Sequence, residues 1–392
     1  MVISHPSEEQ AKKVIDRVHP VSVTIKERFP LTKTGSTKQT HHVALDIKSA
    51  AITFKSGDSL GIYPQNDPIL VQHLITAMHA SGEEIILDPK SGVPLSLRQF
   101  LSFKANLSRL TSPFLKLFYE HEKEHDKKNK LQHLLQQENR ALLTQYLSMH
   151  DPLDLLSEYR ETNAPLQELC AQFSPLLPRF YSVASSQLAY PDEVHLTVAL
   201  FTYNHAGEQR YGVASHFLCH LAEVGTTEIP VYAQTSHVFH LPEDKDASIV
   251  MIGPGTGVAP FRAFMQDRML TGSKGRNWLF FGERNRQTDY FYQDYWEELA
   301  AKGQLRLDLA FSRDQDHKVY VQQRMHENAK DLWSWLQEGS YIYVCGDAHK
   351  MAKDVDAMLQ QIAIEQGSMT KDSAKTHIKS LRTQRRYLLD VY

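Results

Sequence analysis

The turn Gly253-Pro254-Gly255-Thr256-Gly257 is the stretch whose residue types and spacing point most directly to chemistry. The apolar run before it has the length of a buried parallel strand, and the apolar residues after it recur at the three- and four-residue spacings of a helix. Glycines allow the backbone to approach a phosphate, and a helix N-terminus offers unpaired N–H groups and a positive dipole end. The sequence therefore predicts a nucleotide-phosphate site. Because the third glycine comes one residue earlier than in G-x-G-x-x-G, a turn without a ligand remains an alternative.

Polar residues follow two further apolar runs downstream. Ligands of parallel α/β sheets bind beyond the carboxyl ends of the strands, so these residues are candidates for the same cleft. After the first run, Arg313 and Lys318 carry the charge to hold a second phosphate, and the hydroxyls of Ser312 and Tyr320 can assist. The acidic residue that binds an unphosphorylated ribose is not evident there, which favours NADPH over NADH; an ordinary charged surface turn is the alternative. The second run ends in Cys345-Gly346-Asp347.

The bulk composition narrows the class of protein. The chain has 392 residues, enough for two or three domains, and a formal net charge of -3, which does not indicate a nucleic-acid or membrane surface. No apolar run is long enough to cross a bilayer, and the N-terminal residues lack the apolar core and cleavage site of a signal peptide. Cys170, Cys219 and Cys345 are far apart, which disfavours disulfides and a cysteine zinc site and favours a cytoplasmic location.

The periodicity changes along the chain and predicts an α+β protein of several domains. Residues 20–54 are β-like, residues 95–160 are largely helical, and β-like segments return from Pro178. From residue 248, strand-like runs alternate with helical ones, which is typical of a parallel sheet with helices on both faces. Residues 121–125 spell the zinc-protease string H-E-x-x-H, but they lie in a charged run without an apolar face. A solvated segment is the preferred interpretation, and no metal site is predicted.

Seven strings in one order, spread along nearly the whole chain, resemble those of the diflavin reductases, part of the ferredoxin–NADP reductase superfamily. The strings are PRFYSVASSQ, VHLTVALFTY, GVASHFL, MIGPGTGVAPFRAFMQ, SRDQDHKVYVQ, YIYVCGDAHKMAKDV and RRYLLDVY. The resemblance is strongest to the branch of the family that supplies electrons for sulfite reduction. It implies an antiparallel FAD-binding β-barrel with a helical connecting insert, followed by a parallel α/β NADP-binding domain.

The resemblance also implies how the chain is divided. Residues 1–75 would form the first part of the barrel with an N-terminal arm, and residues 76–170 the helical insert. Residues 171–243 would complete the barrel. Residues 244–392 would form the NADP-binding domain and a C-terminal tail that covers the flavin.

For FAD, the resemblance implies roles that suit the side chains. Arg179 would bind the pyrophosphate, the Tyr181 ring would pack against the isoalloxazine, and Ser182 would lie near flavin N5, where the hydride arrives. The other implied FAD positions are Phe180, Thr197, Val198, Ala199, Tyr203, Gly212, Val213, Ala214 and Ser215. From composition alone, a barrel core and an ordinary loop explain these positions as well.

For NADPH, the resemblance implies that the glycine turn lines the cofactor cleft. The implied positions of the 2′-phosphate and adenosine end are Ser312, Arg313, Lys318, Val319, Tyr320, Val321, Gln322 and Asp354. Cys345 would lie beside the nicotinamide, Asp390 would steady the hydride-transfer geometry, and Tyr392 would cover the flavin ring; with Ser182 they form the implied catalytic set. A small buried cysteine and a frayed tail are the alternatives.

The implied function is that of an NADPH-dependent FAD oxidoreductase. Hydride would pass from NADPH to FAD, and electrons would then pass to a separate acceptor, either an FMN protein of the flavodoxin type or the haemoprotein of sulfite reduction. A flavodoxin or ferredoxin reductase unconnected with sulfite is the alternative, and a scaffold that has lost its cofactor is a third possibility.

Two features depart from the family pattern. His240 stands where the family has the arginine of F-R-L-P, and a neutral imidazole would give a weaker phosphate contact. Residues 1–50 contain no strand followed by a Ser- and Thr-rich phosphate loop for FMN. The helical insert is therefore expected to dock a separate FMN protein or the haemoprotein, unless the sequence is part of a longer gene product.

Overall fold

The computed structural model describes residues 15–205 and 207–392, so the predicted N-terminal arm lies almost entirely outside the described residues. The strands are β1 (Val21–Pro30), β2 (Thr40–Asp46), β3 (Ser59–Ile62), β4 (Ile85–Leu87), β5 (Pro94–Ser96), β6 (Arg179–Ser182), β7 (Glu193–Ala199), β8 (Thr202–His205), β9 (Glu208–Tyr211), β10 (Ile229–Gln234), β11 (Ile249–Ile252), β12 (Asn277–Glu283), β13 (Arg306–Phe311), β14 (Tyr341–Gly346) and β15 (Tyr387–Val391). The α-helices are α1 (Pro68–Ala77), α2 (Leu97–Phe103), α3 (Ser112–His121), α4 (His125–Leu135), α5 (Arg140–Met149), α6 (Pro152–Glu158), α7 (Leu166–Gln172), α8 (Val213–His216), α9 (Ala259–Leu270), α10 (Arg286–Asp289), α11 (Gln293–Ala301), α12 (Val321–Glu327), α13 (Ala329–Gln337), α14 (Met351–Gly367) and α15 (Lys371–Thr383).

Six antiparallel strands form the first sheet, in the order β6-β3-β10-β1-β2-β7. Side chains alternate between the two faces of each strand, and the inward-facing ones, such as Ile25, Val43 and Leu196, are completely buried. The edge strands β6 and β7 come together where the Ala184 amide donates to the His195 carbonyl at 2.7 Å. The sheet therefore curls into the antiparallel barrel that the sequence predicted.

Helices α1–α7 and the small hairpin β4–β5 lie between β3 and β6 in the chain. They enclose an apolar core of their own, which includes Phe114, Phe118 and Tyr159. Because β3 and β6 are neighbours in the barrel, the chain leaves and re-enters the sheet at adjacent positions. The insertion therefore leaves the barrel intact.

The H-E-x-x-H string does not present two histidines on one helix. α3 ends at His121, whose Nδ1 lies 3.0 Å from the Leu117 carbonyl, and α4 begins at His125. Glu122 between them is buried and accepts a hydrogen bond from the Thr162 hydroxyl at 2.5 Å. The two histidines therefore belong to different helices, whereas the zinc-protease arrangement has both on one helix.

The second sheet is parallel, in the order β13-β12-β11-β14-β15. Ile249 and Met251 of β11 pack on one face with residues of α9 and α11, and Val250 and Ile252 pack on the other with residues of α12, α13 and α14. Both faces are thus covered, which explains the continuous apolar runs. No helix or strand was predicted for the tail, where the structure has α15 and the edge strand β15. None of the helices in the described ranges has the length and apolar character to cross a membrane.

Candidate functional site

Two side chains of the predicted catalytic set contact the carboxylate of a third, Asp390, at the carboxyl edge of the parallel sheet. Cys345 and Asp390 are register partners on β14 and β15, so their side chains project from the same face. Asp390 Oδ2 lies 3.7 Å from Cys345 Sγ and 2.6 Å from the Oγ atom of Ser182, which is the last residue of β6. Strands from both domains therefore bring chemically active groups to the boundary between the barrel and the parallel sheet.

The Cys345 thiol is completely buried, and burial raises its pKa well above the usual value, with the Asp390 carboxylate adding to the effect. The thiol therefore stays protonated at neutral pH and donates its hydrogen to Asp390. Ser182 donates to the same oxygen. Protons are thus held at Ser182 Oγ and Cys345 Sγ, both directed at one acceptor.

Tyr392, the fourth member of the predicted set, directly follows β15 and contacts the glycine turn. Its phenol oxygen lies 2.7 Å from Thr256 Oγ1, and its amide donates to the Gly346 carbonyl at 3.1 Å. The backbone of Tyr392 thus continues the pairing of β15 with β14, while its side chain is 55% exposed. An aromatic ring held by one hydroxyl contact can move without breaking the strand.

The glycine turn packs against the parallel sheet too closely for side chains. A Cβ atom at Gly257 would lie 2.0 Å from the Cys345 carbonyl oxygen, and one at Gly253 would lie 2.4 Å from the Gly257 carbonyl oxygen. Gly255 has φ +60°, in the left-handed region that favours glycine. One 3-10 turn, Gly255–Val258, leads into α9, so the predicted order of strand, glycine turn and helix is confirmed.

The facing edges of β6 and β7 fit FAD. In the described residues, a backbone hydrogen bond joins these edges at Ala184 and His195, and none joins the rest of β6 to β7. Arg179 and Phe180 are exposed on the open edge, with Phe180 47% exposed, and Tyr181 is half-buried. Unpaired strand edges beside an arginine and aromatic rings suit a ligand that has a pyrophosphate and a flat ring system.

Two of the residues predicted to bind FAD have buried side chains, and their role in FAD binding stays a prediction. Val198 is completely buried in the barrel core. Thr197 is also buried, and its hydroxyl lies 2.7 Å from the Tyr292 hydroxyl of the parallel domain. The alternation along β7 sends one side chain into the core and the other to the domain boundary. Ala199, at the end of the strand, is exposed.

Hydrogen bonds of the Ser215 hydroxyl stabilise the second loop predicted to bind FAD, residues 212–215. Ser215 is buried; its hydroxyl accepts from the Phe201 amide at 3.1 Å and donates to the Gly212 carbonyl at 3.0 Å. Tyr203 lies beside the exposed Phe201, with ring centroids 5.9 Å apart. The helix α8 starts with the remaining predicted residues, Val213 and Ala214. The loop thus presents an aromatic surface and a short helix start on the same side of the barrel.

The residues predicted for the adenosine end of NADPH divide between surface and core. Ser312 and Arg313 follow β13, and their amides donate at 2.8 Å to the carbonyls of Glu283 and Arg284 at the end of β12. Lys318 is exposed on the same connection. These residues line the carboxyl edge of the sheet, where the sequence placed a second phosphate.

The next stretch leads into α12. Val319 and Val321 are buried, at 7% and 2% exposure, so their side chains face the core, and their role in nucleotide binding stays a prediction. Tyr320 between them is 36% exposed. Gln322 Nε2 lies 3.4 Å from Asp354 Oδ2, so these two predicted residues lie together, one on α12 and the other on α14.

Lys38, to which no sequence motif assigns a role, extends from the β1–β2 loop of the barrel to the parallel domain. Its Nζ donates to Glu283 Oε1, and Arg284 donates to the neighbouring Thr37 hydroxyl at 2.6 Å. Burial lowers the pKa of Lys38 to about 8, and the charges of Arg284 and Arg313 add to this. The barrel therefore contributes a cation to the predicted phosphate region. A lysine in a polar loop carries no local sequence signal for that role.

His240 has contacts with both domains. Its Nε2 lies 2.8 Å from Asp58 Oδ1, and its carbonyl accepts from the Tyr343 hydroxyl at 2.8 Å. The histidine that stands in place of the family's arginine therefore contacts residues of both domains, and its weaker phosphate contact stays a prediction.

Two known protein families match the chain, one in the part that contains most of the barrel and the other in the part that contains most of the parallel sheet. Residues 13–217 match the family described as FAD binding domain, and residues 251–357 match that described as oxidoreductase NAD-binding domain. The chain belongs to the FAD binding domain family. With its second domain, it is a flavoprotein oxidoreductase module that binds FAD and a nicotinamide dinucleotide.

Curated relatives align with nearly all of the chain. The sulfite reductase [NADPH] flavoprotein alpha-component of Bacillus subtilis (strain 168) is 40% identical over 377 residues, which are 96% of this chain and 62% of the relative. The protein of that name from Shewanella oneidensis is 40% identical over 367 residues, 92% of this chain and 59% of the relative. That from Vibrio cholerae is 39% identical over 391 residues, 99% of this chain and 60% of the relative. The chain spans about three-fifths of the length of these relatives.

Proposed function

We propose that the chain takes hydride from NADPH onto FAD and passes electrons to a separate acceptor protein in sulfite reduction. The observation that carries the proposal is the meeting of Ser182, Cys345 and Asp390 at the boundary between the barrel and the parallel sheet. Bound there, FAD supplies the chemistry of hydride acceptance and single-electron release. The protein supplies position, electrostatics and protection from water.

The residues have distinct tasks in this proposal. Arg179 and Tyr181 hold the flavin nucleotide on the open edge of β6, and the glycine turn admits the dinucleotide backbone beside Cys345. Ser182 and Cys345 hold their protons against Asp390, so a proton is available at Ser182 Oγ when the cleft is closed to water. Tyr392 covers the meeting point until nicotinamide replaces its ring.

The positive charges at the end of β12 and β13 support NADPH over NADH. Arg313 and Lys318 follow β13, and Arg284 and Lys38 adjoin them from β12 and from the barrel. A 2′-phosphate gains charge-assisted hydrogen bonds from such groups, whereas a ribose hydroxyl gains little.

The acceptor is proposed from the relatives, whose name specifies sulfite reductase. An FMN protein or a haemoprotein would receive the electrons, and the helical insert would dock it. A flavodoxin or ferredoxin reductase without a link to sulfite is the second candidate. We also propose a cytoplasmic location, because Cys170, Cys219 and Cys345 are buried free thiols, as a reducing compartment favours.

An anaerobic titration of the purified chain tests the proposal. We expect a yellow protein whose flavin absorbance is bleached by NADPH and far less readily by NADH. Equal bleaching by the two nucleotides would contradict the NADPH assignment, and a preparation that stays colourless after addition of FAD would contradict the whole proposal. Sulfide formation after addition of an FMN carrier and a candidate sulfite-reducing haemoprotein separates the two acceptor hypotheses.

A further inference from the structure

We infer that Arg262 is a positioning residue that holds the nucleotide-binding helix α9 against the flavin-binding strand β6 and so sets how closely the two cofactors approach. This inference rests on the proposed function. Arg262 lies on α9 close behind the glycine turn, and its guanidinium crosses from the parallel domain to the barrel. None of the sequence motifs assigned it a role.

The guanidinium binds the point where the barrel closes. Arg262 Nη1 donates to the Ala184 carbonyl at 2.6 Å and lies 3.1 Å from His195 Nδ1. Ala184 lies two residues beyond the end of β6, and its backbone hydrogen bond with His195 joins this part of the chain to β7. Ala184 also follows Ser182 closely in the chain. Arg262 therefore holds the end of the strand that carries Ser182 to the cleft.

A second hydrogen bond leaves His195 Nδ1 able to accept from Arg262. Its Nε2 lies 2.9 Å from a Glu193 carboxylate oxygen, so the ring hydrogen is on Nε2 and Nδ1 is free to accept from Arg262. The residue is 4% exposed, and burial lowers its pKa to about 4; Glu193 opposes the effect and Arg262 contributes to it. The imidazole is thus neutral at physiological pH, as the contact requires.

Tyrosines from both domains surround the charge. The Arg262 guanidinium lies 5.0, 5.8 and 5.9 Å from the ring centroids of Tyr292, Tyr295 and Tyr190, at cation–π distance. Tyr292 has φ +56°, which residues other than glycine seldom adopt. In this conformation its hydroxyl lies 2.7 Å from Thr197 Oγ1 and 3.1 Å from His42 Nδ1 in the barrel. The aromatic cage thus fixes Arg262 relative to both sheets.

A second contact along α9 completes the attachment. Gln266 Oε1 accepts from the Ser186 amide at 2.8 Å, and Asp267 accepts from the Ser186 hydroxyl. Helix α9 therefore begins at the glycine turn and forms hydrogen bonds along its length with residues 184–186. Arg262 makes the contact closest in the chain to Ser182, so loss of its hydrogen bonds should move the strand relative to the turn.

Two substitutions separate positioning from folding. Arg262→Gln removes the charge, and Arg262→Lys keeps the charge without the planar fork. Arg276→Gln is the matched control, because Arg276 is a half-exposed arginine of the same domain that pairs with Glu338. The measurements are FAD content, NADP+ binding by calorimetry, the long-wavelength charge-transfer absorbance of stacked nicotinamide and flavin, the anaerobic rate of flavin reduction, and amide hydrogen exchange over residues 184–190.

We expect Arg262→Gln to bind FAD and NADP+ with near wild-type affinity, to lose the charge-transfer absorbance and to reduce its flavin about 10- to 100-fold more slowly. Arg262→Lys should lie between this variant and the wild type, and Arg276→Gln should match the wild type. Wild-type absorbance and rate per bound flavin in Arg262→Gln would overturn the inference. So would a loss of cofactor binding in both Arg262 variants with an unchanged rate in the fraction that retains FAD.

If the proposed function is wrong, the same measurements give a different result. A wild-type flavin that NADPH does not reduce would contradict that function, and hydrogen exchange then decides the inference. Faster exchange over residues 184–190 in Arg262→Gln, with no change in Arg276→Gln, supports the attachment of β6 to α9. Equal exchange in all the proteins overturns it.

Discussion

Ser182 and Asp390 are separated by 208 positions in the chain, yet Ser182 Oγ lies 2.6 Å from Asp390 Oδ2. The contact joins an edge strand of the antiparallel barrel, β6, to an edge strand of the parallel sheet, β15. Neither sheet contains the site by itself. The proposed hydride transfer would therefore depend on the contacts that hold the two domains together.

We expect Asp390→Asn to slow anaerobic flavin reduction by about 10- to 100-fold, because Ser182 and Cys345 lose the carboxylate to which both donate. FAD content should change little, since Asp390 lies on the parallel sheet. Stopped-flow absorbance measures the rate. Asp372→Asn, an exposed aspartate on α15, is the control. An Asp390→Asn protein as fast as the control would exclude the carboxylate from the reaction.

Replacement of Lys38 tests the contribution of the barrel to nucleotide binding. Lys38→Ala removes a partly buried cation beside Arg284 and Arg313, so we expect the KM for NADPH to rise about 10-fold with little change in kcat. The KM for NADH should change less, because it has no 2′-phosphate. Lys33→Ala, on the exposed part of the same loop, is the matched control. Equal effects of the two substitutions on NADPH would show that Lys38 has no specific role.

Local patterns predicted the parts of the fold whose signals are local. The strand Ile249–Ile252 is apolar throughout because both of its faces are covered, and glycines follow it where no side chain fits. The short strand β15 was missed, because its pairing with β14 is a long-range contact and a polar helix precedes it. Asp390 could thus be assigned a role by resemblance, but its distance from Ser182 could not be derived.

The burial of single predicted residues has equally physical causes. Val198 lies in an alternating strand, and that alternation was itself a signal that its side chain faces the core. Val319 and Val321 flank an exposed tyrosine where the chain enters α12, and both are buried in the core on which α12 packs. Lys38 gave no such signal, because only the packing of the β1–β2 loop on the parallel domain brings it to Glu283.

The histidines at the domain boundary predict that stability depends on pH. Burial lowers the pKa of His195 to about 4 and that of His42 to about 3, whereas an unfolded histidine titrates near ~6.5. The unfolded chain therefore binds more protons between these values, and the stability contributed by neutral His195 is complete above the unfolded pKa and is lost as the pH falls towards 4. The loss for His195 is at most about 3 kcal/mol.

Urea unfolding at neutral and mildly acidic pH measures this effect. We expect His195→Gln to lose less unfolding free energy than the wild type over the same fall in pH, because the variant no longer takes up the proton. His73→Gln, which changes an exposed histidine on α1, should retain the wild-type pH dependence. Parallel pH profiles for all three proteins would show that His195 does not contribute.

Substitution of Tyr392 tests whether its ring controls the choice of nucleotide. Nicotinamide must displace the ring, and NADPH has the additional phosphate contacts to offset that cost, whereas NADH does not. A ring stack is worth about 1 kcal/mol beyond its burial, so Tyr392→Ala should lower the ratio of kcat/KM for NADPH over NADH by about 5- to 10-fold. Tyr392→Phe keeps the ring and loses the contact with Thr256, so it should retain most of the preference. If the alanine variant kept the full wild-type ratio, the ring would have no part in discrimination, and the preference would lie entirely with the cations around Arg313.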